Sequence, residues 1–172
     1  MSRLTHIRFA EYDPKSLSEQ VGRLVILVTP EGLMDQAARS ANRLSKGAVA
    51  RLIASDGFKK AKTGEVISLG WPAGMLVESL DVLVLPRRVT PIEARKAGAT
   101  LAKAGAGKPI TVMAGSMPKA ADLALGVALR TYSFDLHKTS DDNKTVDEVV
   151  IAHKAHEDIA AKYAPMRAVA EG

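Results

Sequence analysis

Three unbroken apolar runs constrain this chain more than any other feature. They are Leu24-Val25-Ile26-Leu27-Val28, set between Gly22 and Pro30, Val82-Leu83-Val84-Leu85, stopped by Pro86, and Ile110-Thr111-Val112-Met113-Ala114, entered from Pro109 and closed by Gly115. A strand with one wet face alternates apolar and polar residues, whereas a continuous run needs apolar cover on both faces. The runs therefore predict central strands of a parallel or mixed sheet with helices on either side. Weaker strand signals lie at Thr5 to Phe9, Glu65 to Leu69 and Val146 to Ala152.

Between the strands the period lengthens. Leu33, Ala37, Ala41, Leu44, Ala48 and Leu52 recur every three or four residues, which predicts one amphipathic helix of about 20 residues ended by Gly57. Thr90-Pro91-Ile92-Glu93 joins an N-cap threonine, a first-turn proline and a glutamate three residues on, a capping box. The helix it opens carries Ala94, Ala97 and Leu101 and should stop in Gly105-Ala106-Gly107. A third helix is expected from after Ser116 to about Tyr132, a polar surface loop at Thr139 to Lys144, and a last helix from His156 that Pro165 must end or bend. The order β-β-α-β-β-α-β-α-β-α predicts an α/β fold, a three-layer α/β/α sandwich with a mixed, largely parallel sheet and right-handed crossovers between parallel neighbours. A length of 172 residues suits one such domain. With only 4% aromatics, its core must be Val, Leu, Ile and many Ala.

Chemistry is harder to find. The chain has no cysteine, hence no disulfide, thiolate nucleophile or Cys-ligated metal. His153 and His156 precede Glu157 and Asp158, but H-x-x-H-E-D lacks the zinc-helix spacing, and surface histidines near a helix start are the expectation. Asp141 and Asp142, with Asp135 nearby, read as a solvated turn, and no serine sits in a nucleophile elbow. Gly98, Gly105, Gly107, Gly115 and Gly126 form no dinucleotide or phosphate-loop pattern, although backbone N–H groups at the Gly115-Ser116 turn offer an anion site in principle. Trp71, in Gly70-Trp71-Pro72-Ala73-Gly74, is an interface anchor or pocket wall if exposed and plugs an edge of the core if it points inward. No catalytic, cofactor-binding or metal residue is assigned. Charge is the remaining signal: residues 1–120 carry 18 Lys and Arg against 10 Asp and Glu, while residues 121–172 carry 6 against 9. Arg39, Arg43, Lys46, Arg51, Lys59, Lys60 and Lys62, opposed only by Asp56, form the densest basic stretch. They are expected to be a solvated helix face and its exit loop, giving at most weak, non-specific contacts with DNA because no aromatics are interleaved to stack on bases. No apolar stretch approaches the roughly 20 residues of a membrane helix, so no membrane partner and a cytoplasmic location are expected.

The whole chain resembles the amino-terminal domain of the cytosolic, two-metal leucyl aminopeptidases. The resemblance rests on the early Leu24 to Val28 strand, the long helix ending near Gly57, and the proline-broken turn at Leu85-Pro86. It rests further on Gly126-Val127-Ala128-Leu129-Arg130-Thr131-Tyr132-Ser133-Phe134-Asp135 before Lys138, and on Ala168-Val169-Ala170-Glu171-Gly172, which looks like the helix leading to the peptidase domain. It implies a macro-domain-like fold over residues 1–155, with 156–172 beginning the connecting helix. It also implies a non-catalytic role in hexamer assembly and in access to the parent active site. The two divalent ions, zinc or manganese, and the catalytic lysine and arginine are expected in a carboxy-terminal peptidase domain, the first partner of this one. The alternative is a module binding an ADP-ribose-like nucleotide or DNA.

Overall fold

The computed structural model describes residues 6–105, 108–136 and 148–171. The apolar runs are strands of one sheet: β1 (His6–Glu11), β2 (Arg23–Val28), β3 (Val66–Gly70), β4 (Ser79–Val84), β5 (Ile110–Gly115) and β6 (Glu148–His153). Their order is β1-β6-β5-β2-β4-β3. All neighbours are parallel except β3, which runs antiparallel to β4. The sheet is thus mixed and largely parallel, as expected.

Alternation sorts the buried strand residues into two cores. On one face Val25, Leu83, Val112, Val149 and Ile151 pack beneath α4 (Pro91–Ala104), α5 (Ala120–Leu136) and α6 (His156–Glu171). On the other, Leu24, Ile26, Val28, Leu80, Val82 and Met113 meet Leu17 of a 3₁₀ helix (Pro14–Glu19) and the apolar sides of α1 (Gln36–Leu44), α2 (Ala48–Ile53) and α3 (Asp56–Lys59). That is the three-layer sandwich. β4 begins three residues before its apolar run and so includes Asp81, which is 1% exposed. Arg23 donates to it from Nε (2.9 Å) and Nη2 (3.0 Å) and the Ser79 hydroxyl donates at 2.6 Å, so the buried charge is both paired and hydrogen-bonded.

Three expectations need correction. The 20-residue helix is three short ones: the chain turns at Lys46 (φ 57°) and Gly47 (φ 85°), and the Asn42 side chain accepts the Ala50 N–H at 2.9 Å to restart it. A straight helix of that length would span about 30 Å, against about 20 Å for a six-residue strand. Breaking it lets Ala41, Val49 and Phe58 each turn inward. Of the two outcomes expected at Pro165, the ending does not occur: α6 runs on to Glu171. Pro165 and Ala161 are both exposed, so the carbonyl left without an N–H partner faces water, while Ile159 and Tyr163 stay in the core. The third helix continues past Tyr132 to Leu136. The capping box at Thr90 is present, with Glu93 N–H donating to Thr90 Oγ1 at 3.2 Å and Thr90 N–H to Glu93 Oε1 at 3.0 Å. The expected loop at 139–144 lies outside the described residues, as do His137, Asp141 and Asp142.

Candidate functional site

β2 pairs with β4 on one side and with β5 on the other, and after β2 the chain passes through α1, α2 and α3 to the edge strand β3, so the connections diverge at the carboxyl end of β2. Such a point leaves a crevice where ligands of open α/β sheets bind. A cavity of about 270 Å³ lies there, lined by Leu27 at the end of β2 and Thr29 beyond it, Leu33 and Asp35 before α1, Leu85, Pro86 and Arg87 after β4, Ala114 at the end of β5, and Ser116, Met117 and Pro118 beyond it.

Both walls are pinned by hydrogen bonds. On the first, Thr29 N–H donates to the Leu33 carbonyl (3.1 Å) and Leu33 N–H to the Thr29 hydroxyl (2.9 Å), closing a tight loop. Asp35 caps α1 by accepting the Ala38 N–H (2.9 Å), and the Tyr12 hydroxyl accepts the Ala37 N–H (3.0 Å). Burial raises the Asp35 carboxyl above its ordinary value, against the lowering effects of the Ala38 N–H and the Arg39 charge. Burial also pushes the Tyr12 phenol up to about 12, helped by the negative charge of Asp35.

The second wall begins with an irregularity. Pairing of β5 with β6 shifts register between Met113 and Gly115, as at a β-bulge, and Gly115 takes φ 63°. A side chain on Gly115 would also meet the Tyr12 ring at 3.5 Å. His153 then fastens the loop beyond. It is buried, its Nδ1 accepting the Ala155 N–H and its Nε2 donating to the Met117 carbonyl, both at 2.9 Å. A backbone N–H can only donate, which places the ring proton on Nε2. The surface position expected for His153 is therefore wrong: its strand delivers it inward at the cleft, where it joins β6 to the Met117 turn. Both ring nitrogens are used, so it forms no metal pair with His156. Among the described residues no group of three or more His, Cys, Asp or Glu gathers to hold a metal ion, so these residues do not fit a two-metal centre.

The seven basic residues do not enter the cleft. Arg39 and Arg43 lie on α1, Lys46 in the turn after it, Arg51 on α2, Lys59 on α3, and Lys60 and Lys62 just beyond, all exposed. The guanidiniums of Arg39 and Arg51 donate to the carbonyls of Met34 (3.0 Å) and Lys46 (2.8 Å), serving their own backbone. The open question at Trp71 is decided: it is 75% exposed, with φ 49°, in the loop joining β3 to β4. Exposed Leu76 shares that loop, and exposed Val21 precedes Gly22, whose carbonyl accepts the Glu78 N–H at 2.8 Å. These three lie at the end of the sheet opposite the cleft. Gly98 and Gly126, unreadable as ligand glycines, are packing glycines. A methyl on the first would overlap the Leu123 carbonyl oxygen, and on the second the Arg95 carbonyl oxygen, where α4 and α5 touch.

The sheet and cleft define a macro-domain-like α/β sandwich. Solved structures share it: a Trypanosoma brucei macrodomain in complex with ADP-ribose superposes with a TM-score of 0.61 at 16% identity, covering 97% of this chain and 71% of that one. An Oceanobacillus iheyensis macrodomain variant gives 0.58 at 12% identity, covering 94% and 91%. At such identities the likeness is one of fold. The sequence profile of the cytosol aminopeptidase family, N-terminal domain, matches residues 25–141. The "Probable cytosol aminopeptidase" of Dinoroseobacter shibae is 41% identical over 172 residues, and that of Cereibacter sphaeroides 38% over 173. The chain belongs to the cytosol aminopeptidase family, as its amino-terminal domain. It spans 35% of the length of each of these relatives, and all or nearly all of its own residues are aligned.

Proposed function

We propose that this chain is the non-catalytic assembly and access domain of a metal-dependent leucyl aminopeptidase of the cytoplasm. Residues 1–155 are the domain proper and 156–172 the start of its connection to a carboxy-terminal peptidase domain, where two zinc or manganese ions are bound in a hexameric parent. The observation that carries this reading is the family match over residues 25–141 in a chain only about a third as long as its relatives. Two structural features support it. Trp71, Leu76 and Val21 present an apolar surface of the kind that anchors a protein contact, and a bulky residue such as Trp71 is held at positive φ only at a local cost. The last helix follows β6 after a two-residue turn and seats Ile159 and Tyr163 on the sheet, so the domain is packed up to the segment that would lead onward. The isolated chain should not hydrolyse a leucine anilide with zinc or manganese added. Linked to a peptidase domain, it should assemble on sedimentation, and Trp71→Ala should weaken that assembly. Metal-dependent hydrolysis by the pure 172-residue chain would refute the reading.

A further inference from the structure

We propose that the cleft at the carboxyl ends of β2, β4 and β5 binds a free apolar L-amino acid, with Asp35 taking its ammonium group and Arg87 its carboxylate. The argument begins with size. A cavity of about 270 Å³ lies at the small end of the roughly 300–1,000 Å³ range of ligand pockets, which suits a small molecule such as a free amino acid. The lining then sets the chemistry. Asp35 and the exposed Arg87 line the cavity together with Leu27, Leu85, Pro86 and Met117, so one acidic and one basic residue border an apolar body, the complement of a zwitterion with an apolar side chain.

Electrostatics and rigidity agree with that ligand. The Asp35 carboxylate is disfavoured by burial, and an ammonium group beside it would offset that cost. Hydrogen bonds of Thr29 and His153 hold the two walls before any ligand arrives, which keeps the ordering cost of binding low. The choice of an amino acid among zwitterions of this size rests on the aminopeptidase reading, because that reaction releases such a molecule. The cleft would then sense product at a distance from the chemistry.

Calorimetric titration of the 172-residue chain with L-leucine, N-acetyl-L-leucine, L-leucinamide and ADP-ribose tests the site. The expected result is saturable L-leucine binding with Kd on the order of 1 mM or tighter, weakened about tenfold or more when acetylation removes the ammonium charge. In Asp35→Asn the difference between leucine and its acetyl form should vanish. In Arg87→Gln leucine should fall to the level of leucinamide. The wild-type ligand series stands even if a variant fails to fold. No saturable heat with leucine, equal binding of leucine and N-acetyl-leucine, or ADP-ribose binding that leucine does not displace would each overturn the proposal. Because the readout is binding, such failure leaves the assembly reading to its own hydrolysis and sedimentation tests.

Discussion

Asp35 shows how one residue serves both folding and site. As N-cap of α1 it supplies an acceptor to Ala38 N–H, yet its burial disfavours the carboxylate. A carboxyl with a raised native value takes up its proton in the folded state before the unfolded one does. Its contribution to stability therefore increases as pH falls from neutral through that raised value, and levels off below the ordinary value of 3.8. Asparagine keeps the cap oxygen and removes the charge. Asp35→Asn should thus be stabilised relative to the parent at pH 7, with the advantage shrinking toward pH 4, as urea unfolding at several pH values will read. An advantage independent of pH would contradict this account. Nothing in the spacing of residues 30–40 separates Asp35 from an ordinary helix cap; its burial against Tyr12 and the cleft is a product of the assembled sheet.

At the scale of elements, the pair α4 and α5 is the most demanding contact. Gly98 and Gly126 let the two backbones approach until each glycine faces a carbonyl oxygen of the other helix. Arg95 adds a hydrogen bond from Nε to Asp122 Oδ1 at 3.0 Å. Gly98→Ala would force the helices apart, an overpacking cost of about 3 kcal/mol. That corresponds to a drop in Tm of roughly 6–12 °C for a domain of this size. Scanning calorimetry of Gly98→Ala beside Lys103→Ala, an exposed position on the same helix, will distinguish the clash from any general sensitivity of α4. Helical periodicity marked both helices, although it ended α5 at about Tyr132 instead of Leu136. It was silent about the glycines, because a glycine in a helix looks the same whether it is a flaw or a point of contact.

For the molecule as a whole, charge is distributed against a tight nucleic-acid interface. The seven basic residues of the 39–62 segment sit on three short helices, the turn after the first and the segment beyond the third, rather than along one groove-sized helix. A labelled duplex should bind weakly and without sequence preference, with Kd of roughly 10⁻⁴–10⁻⁶ M, and the affinity should fall steeply between about 0.05 and 0.2 M salt. Tight binding that persists at the higher salt would establish a DNA-binding role instead.

The layers of the sandwich follow from local patterns in the chain. Short apolar runs bounded by Gly and Pro read as strands covered on both faces, and the Thr90 capping box marks a helix start, so the α/β order and the large helical faces were legible from local chemistry. Periodicity over residues 33–52 shows which side faces the sheet, but it cannot report where a chain must turn to follow a short sheet, and one long helix is the wrong expectation there. The break at Lys46-Gly47 therefore appeared only in three dimensions. The same holds for the site. Thr29, Asp35, Arg87, Ser116 and Met117 come from three loops far apart in the chain, and His153 from a fourth segment, so no spacing along the sequence encodes their meeting. The strand order alone brings them together, because placing β5 and β4 on opposite sides of β2 opens the crevice that those loops line.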